Sequence, residues 1–273
     1  MFSNNCPNEQ IVFTDSSKIN SGTLTYNYNL GNFVTSAQKS PSTNYATSGD
    51  YTVSLELTSD KNCKASFLDT VTIHAAPSAA FSATNTCSRD SATFTNTTGL
   101  SAGTFSSQWT FGDGNTSALN SPKHAYQGSG AFSAKLNVVS DSGCADSVVQ
   151  PINVYANPVA GFTASRACEG DQVSFTNSSA IVSGTLNYKW YFGNGDTSVL
   201  RSPATTYASA GSQNVLLVAS SSNGCVDSLS KPLTVNAKPT VSVGPAIATC
   251  GNSLEINAGN AGSGFVWSIA KRT

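Results

Sequence analysis

The stretch QWTFGDG, residues 108–114, puts a carboxylate between two glycines. Glycine lets the backbone approach an anion closely, and Asp113 offers oxygen to a cation, so the chemistry on offer is a phosphate or metal cradle. A phosphate loop, however, leads into a helix N-terminus with a lysine at a fixed offset, and here NTSALNSP follows. Further on, at an offset of 81, the chain reads KWYFGNG, with Gly193 and Gly195 kept and Asn194 where Asp113 stood. A tight turn tolerates that exchange, whereas an ion site loses its charge. The expectation is therefore structural. Trp109 and Trp190 point into a core, and Gly112-Asp113-Gly114 and Gly193-Asn194-Gly195 turn the chain with φ > 0. Asp113 stays a weak metal candidate, with calcium as the ion concerned.

The other reactive side chains give no catalytic set. His124 is one of 2 histidines, and its counterparts at the same offset, Thr43 and Thr205, are no bases. His74 aligns with Tyr155 and Asn236, and no nucleophile-base pairing or carboxylate pair recurs. No catalytic residue and no enzyme activity are expected. The 7 cysteines contain no CxxC pair, which argues against zinc and for an oxidising compartment. Lys+Arg 14 against Asp+Glu 15, at 11% charged, provides no basic patch for nucleic acid or an anionic membrane. No apolar run is long enough to span a bilayer. MFSNNCPNEQ has no signal-peptide pattern, so exported-protein chemistry without a leader is read as a piece of a longer chain.

The elements that must position these residues repeat. An offset of 81 links Cys6, Cys87 and Cys168; Cys63, Cys144 and Cys225; Phe13, Phe94 and Phe175; Tyr28, Trp109 and Trp190. It also links Tyr45, Tyr126 and Tyr207, and Pro77, Pro158 and Pro239, without a gap. Alternating runs such as AFSAKLNV (131–138) and NVLLV (214–218) read as strands, separated by GDGN, QGSG and DSGC turns. Such short strands imply an all-β two-sheet sandwich per repeat, with Ala75-Ala76-Pro77 and Ala156-Asn157-Pro158 as short linkers. The expected domains are 1–76, lacking most of its first strand, then 77–157, 158–238, and a partial fourth repeat over 239–273. Both ends are expected to lie inside domains.

WTFGDG (109–114), SPKHAY (121–126), Gly130-Ala131-Phe132 and SGC (142–144) resemble the PKD domain, an immunoglobulin-like sandwich. WYFGNG, SPATTY and NGC in the third repeat match it too, whereas YNYNLGNF (26–33) has lost the tryptophan and the GDG turn. The resemblance implies tandem immunoglobulin-like sandwiches arranged end to end. In that topology the first cysteine of a repeat lies in the A–B turn and the second in the F–G turn, at opposite poles about 25 Å apart. A disulfide needs Cα atoms within roughly 7 Å. End-to-end stacking brings the A–B pole of one repeat to the F–G pole of the next, so Cys6–Cys144 and Cys87–Cys225 are preferred over Cys6–Cys63 and Cys87–Cys144.

Cysteine-bearing tandem PKD arrays are similar to those of very large secreted surface proteins, including gliding-motility adhesins of Bacteroidota exported by the type IX system. The implied role is a non-catalytic extracellular spacer or stalk and interaction module at the bacterial cell surface. Its partners would be neighbouring repeats and an extracellular glycan or protein. The alternative is a polysaccharide- or protein-binding accessory module of a secreted hydrolase, which would show contiguous exposed aromatics. Tyr191 is the one weak candidate, since Phe94, Trp109, Tyr126 and Phe132 repeat at core phases. Asp-Ser/Thr-apolar triplets at Thr70, Ser91, Ser147 and Ser228 are similar to periplasmic O-glycosylation sequons of Bacteroidota.

Overall fold

Alternation along the chain becomes alternation of burial. In Gly130–Ser140 the residues Ala134, Leu136 and Val138 are buried while Lys135 and Asn137 are turned outward and more exposed. The period of two is that of a strand with one face on a core. The computed structural model describes residues 5–240; the expected fourth repeat from 239 lies, but for Pro239 and Thr240, outside the described residues. Every element among the described residues is a strand. The all-β, tandem immunoglobulin-like architecture expected from the sequence is the one observed.

The first repeat contributes β1 (Gln10–Val12), β2 (Leu24–Asn29), β3 (Thr35–Ser36), β4 (Ser42–Asn44), β5 (Gly49–Ser59) and β6 (Lys64–Ile73). The second contributes β7 (Phe81–Ala83), β8 (Thr86–Cys87), β9 (Ser91–Asn96), β10 (Phe105–Thr110), β11 (Thr116–Ser117), β12 (Lys123–Ala125), β13 (Gly130–Ser140) and β14 (Ala145–Tyr155). The third contributes β15 (Phe162–Ala164), β16 (Gln172–Asn177), β17 (Leu186–Tyr191), β18 (Thr197–Ser198), β19 (Ala204–Thr206), β20 (Gly211–Ser221) and β21 (Val226–Val235).

Each repeat has a larger sheet built on a long hairpin and a smaller sheet facing it. The larger sheets run β3-β2-β5-β6, β11-β10-β13-β14-β8 and β18-β17-β20-β21. The smaller ones run β12-β9-β7 and β15-β16-β19 and, among the described residues of the first repeat, β1-β4. Pairing of Trp109 with Leu136 on β10 and β13, and of Trp190 with Leu217 on β17 and β20, sets the same register twice. Around Trp109 the core of the second repeat gathers Phe81, Phe94, Phe111 and Tyr126; around Trp190 the third gathers Phe162, Phe175, Phe192 and Tyr207. In the first repeat Tyr28 takes the tryptophan's place among Ile11, Phe13, Leu30 and Tyr45.

The chain divides into two compact units after Ala156. The first unit holds the first two repeats, and a disulfide between Cys6 and Cys144 ties them together, with Cα atoms 5.7 Å apart. Near that joint the His74 carbonyl oxygen lies 4.0 Å from the Cys144 sulfur.

Candidate functional site

The acidic turn follows β10, and its shape is dictated by close approach. Gly112 and Gly114 hold φ of 84° and 93°. A Cβ on Gly112 would stand 2.7 Å from the Ser133 carbonyl oxygen on β13, so glycine is required there for room as well as for conformation. Gly193 meets the same obstacle at Asn214, with φ of 85°.

The turn brings Asp113 to His124, which the sequence placed in separate roles. Asp113 Oδ2 lies 2.6 Å from His124 Nε2 and accepts from Asn115 Nδ2 at 3.1 Å, while Oδ1 accepts from the Asn115 amide at 3.1 Å. The imidazole stacks on Phe111, centroids 4.1 Å apart and planes 8° apart, and meets Tyr126 edge-on. Burial pushes the Asp113 carboxyl up, but the hydrogen bonds from His124 and Asn115 outweigh it and hold the group below the ordinary carboxylate range.

The same link is made with other chemistry in the other repeats. Asn194 Nδ2 donates to Thr205 Oγ1 at 3.4 Å and to the Thr206 carbonyl at 3.2 Å, and Thr205 Oγ1 donates to Asp196 at 2.6 Å. Asn32 Nδ2 donates to Thr43 Oγ1 at 2.9 Å and to the Asn44 carbonyl at 3.1 Å. In all three the residue at the turn's apex fastens the larger sheet's corner to a strand of the smaller sheet. The oxygens of Asp113 are engaged in that fastening, so the turn is a latch. Among the described residues no group of three or more His, Cys, Asp or Glu gathers to hold a metal ion.

The first repeat keeps this turn, which corrects the expectation that YNYNLGNF had lost it. Gly31 has φ 77°, and Phe33, standing where Gly114 and Gly195 stand, adopts φ 66° with its ring fully exposed. Loss of a glycine from the pattern left the backbone conformation in place and moved the strain onto a phenylalanine.

A second recurring contact had no signal in the motifs. The hydroxyls of Tyr45, Tyr126 and Tyr207 donate to the carbonyls of Leu30, Phe111 and Phe192 at 2.7, 3.1 and 3.0 Å. Each ties the strand after the latch back to the residue that precedes it. Burial, followed by the neighbouring carboxylate charge, pushes the Tyr126 and Tyr207 phenols up to about 12. The period made these tyrosines visible as core residues; the hydrogen bond depends on a separation of 15 that only the folded corner explains.

The cysteines sort by position. Cys6 is bonded to Cys144, Cys87 and Cys225 are each disulfide-bonded, and Cys63 and Cys168 carry free thiols. Thr70, Ser91, Ser147 and Ser228 are all exposed. Asp146 and Asp227, the acidic members of two of those triplets, accept from the amides of Ala79 and Ala160 at 2.8 Å and so fix the chain ahead of β7 and β15. Exposed aromatics do not align: Phe33, Phe67 and Tyr191 stand at three different phases of the repeat. No helix among the described residues is long and apolar enough to cross a membrane.

A two-sheet sandwich with a WxFGxG corner, repeated at a constant period, is the geometry of one family. The model of the PKD domain matches residues 3–75, 74–154 and 155–237. The chain belongs to the PKD domain family. Its PKD repeats are similar to the PKD1 domain of Vibrio anguillarum Epp, at 31% identity over 30% of this chain and 96% of that one, TM-score 0.28. They are also similar to the PKD1 domain of the Vibrio cholerae metalloprotease PrtV, at 34% identity over 29% of this chain and 98% of that one, TM-score 0.27. The N-terminal eight immunoglobulin domains of Down Syndrome Cell Adhesion Molecule share the fold, at 11% identity over 85% of this chain and 35% of that one, TM-score 0.53. Among curated proteins none matches the chain.

Proposed function

We propose that this chain is a length of extracellular, non-catalytic stalk in which disulfide clamps join each PKD repeat to the next. The proposed repeats are 1–76, 77–157 and 158–238, with a fourth opening at 239. The observation that carries the reading is the bond from Cys6, ahead of the first strand of one repeat, to Cys144, in the long hairpin of the next. The same rule moved along by one period pairs Cys87 with Cys225, both of which are disulfide-bonded. A clamp of this kind places a covalent strut beside a linker only a few residues long, so a joint resists bending and pulling through two connections rather than one. Latches of hydrogen bonds at each corner serve the same mechanical end inside a repeat.

The parent we propose is a large secreted surface adhesin of the gliding-motility type in Bacteroidota, exported by the type IX system. Low charge and abundant Ser, Thr and Asn suit a long surface that must stay hydrated without a strong field. Exposure of Thr70, Ser91, Ser147 and Ser228 is compatible with O-glycosylation there. Single-molecule pulling tests the mechanical reading. With the clamps intact, stretching should release short lengths of chain; with reductant present, the released length should grow as the clamped segments join the extension. Identical traces in both conditions would refute it.

A further inference from the structure

At one place the second repeat is cut back where the other two are filled. The offset of 81 links Tyr26, Ser107 and Tyr188, and likewise Lys39, Asn120 and Arg201. Tyr26 and Tyr188 each pack, partly buried, against the core of their own repeat. In the second repeat both positions carry short side chains, and both line a groove of about 700 Å3, walled further by Leu100, Phe105 and Gln108. That volume is ordinary for a ligand pocket. Ser107 and Asn120 are held in place from behind: Asn96 Nδ2 donates to Ser107 Oγ at 3.0 Å and to Asn120 Oδ1 at 2.9 Å. No residue of the lining carries a charge, so the groove matches a neutral occupant.

The groove also runs along an open strand edge. In an antiparallel sheet the backbone groups of successive residues point to opposite sides of the strand. The Thr104 carbonyl accepts from the Asp141 amide at 2.9 Å on the β13 side, and the Phe111 amide donates to the Asn115 carbonyl at 3.1 Å on the β11 side. Odd-numbered residues of β10 therefore present their N–H and C=O groups away from β13. Of these, β11 reaches only Trp109, since its pairs are Trp109 with Ser117 and Thr110 with Thr116. Phe105 and Ser107 have no strand beyond them among the described residues, and their amides and carbonyls border the groove. Such an edge is a template for an added strand. We propose that this groove is a binding site for an extended, neutral peptide segment carrying a tyrosine. The segment pairs with the Phe105–Ser107 edge of β10. A side chain directly opposite Ser107 stands on the same face of the sheet, with Cβ atoms about 5 Å apart. A tyrosine there enters the space that Tyr26 and Tyr188 fill from within their own strands. The site adds a partner to the stalk and, lying inside one repeat, does not depend on the disulfide clamps.

The test titrates the whole, unreduced chain with a blocked seven-residue threonine peptide that carries one central tyrosine, read by the backbone amide shifts of the protein. Saturable shifts centred on Phe105, Ser107 and Asn120 are expected, with slowed hydrogen exchange at the Phe105 and Ser107 amides. Replacing the central tyrosine of the peptide by alanine is expected to weaken binding ~10-fold or more. Ser107→Tyr, a side chain that the other two repeats already accommodate, is expected to keep the melting temperature of the parent or raise it. In that variant the tyrosine peptide is expected to bind ~10-fold more weakly or worse. If Ser107→Tyr does not fold, Asn120→Arg, which installs the residue of the third repeat, carries the same expectation. Equal binding of the two peptides, undiminished binding to the filled variant, or no shift along β10 at millimolar peptide overturns the proposal. So does a neutral oligosaccharide, maltohexaose, binding at these residues more tightly than the tyrosine peptide.

Discussion

At the scale of single residues the corner of each sandwich is held by contacts that differ in chemistry and agree in place. Trp109 was legible as core because it recurs with the period, and Gly112 as a turn residue needing φ > 0; that a side chain there would also strike Ser133 is seen only in the fold. The Asp113–His124 contact was not legible, since Thr43 and Thr205 hide a histidine's role when residues are compared by type. With the Asp113 carboxyl held below its unfolded range, its contribution to stability is present above about pH 4 and is lost as pH falls through the folded value. Asp113→Asn should therefore cost about 1 kcal/mol near neutral pH and flatten the acid limb of the stability curve, read by chemical denaturation at several pH values. Tyr126→Phe leaves the Phe111 carbonyl without its donor and should cost about 1–3 kcal/mol. The raised phenol runs the other way in pH: its contribution is complete below about pH 10 and is lost as pH rises toward the folded value of about 12. Phe33→Gly should stabilise the first unit by about 0.5–1 kcal/mol, since the exposed ring surrenders no burial and the φ of 66° is relieved. A lower melting temperature in that variant would mean that the ring is packed.

At the scale of elements, the long hairpins were readable from alternation alone, because their side chains face a core on one side and water on the other. The two-residue strands β3, β11 and β18 were not readable, being fixed by pairing to the Trp-bearing strand rather than by their own pattern. The latch needed both: β10 sets the turn, and β12 carries the residue that meets it. The first strand of the sandwich is short but closes the core. Phe81→Ala should cost about 3–5 kcal/mol in thermal melts, because the ring is buried and packs edge-on against Trp109. If that variant melts like the parent, β7 is not the lid of the core.

For the whole molecule the repeat determines more than any one site. A period of 81 gives the number of repeats and the positions of the cysteines, the motifs it carries match the PKD family, and the topology then decides which cysteines can meet. A pairing rule of that kind was legible because the two poles of a sandwich are too far apart for a disulfide within it. The same rule leaves Cys63 and Cys168 over, and these two carry free thiols. The Cys6–Cys144 bond closes a sequence separation of 138, so Cys6→Ser with Cys144→Ser should lower the stability of the first unit by about 2–5 kcal/mol in denaturant melts. The pattern of disulfides in the purified, unreduced chain tests the clamp between repeats most directly. Non-reducing peptide mapping should recover Cys6 linked to Cys144 and Cys87 linked to Cys225; recovery of Cys87 linked to Cys144, within a single repeat, would contradict it.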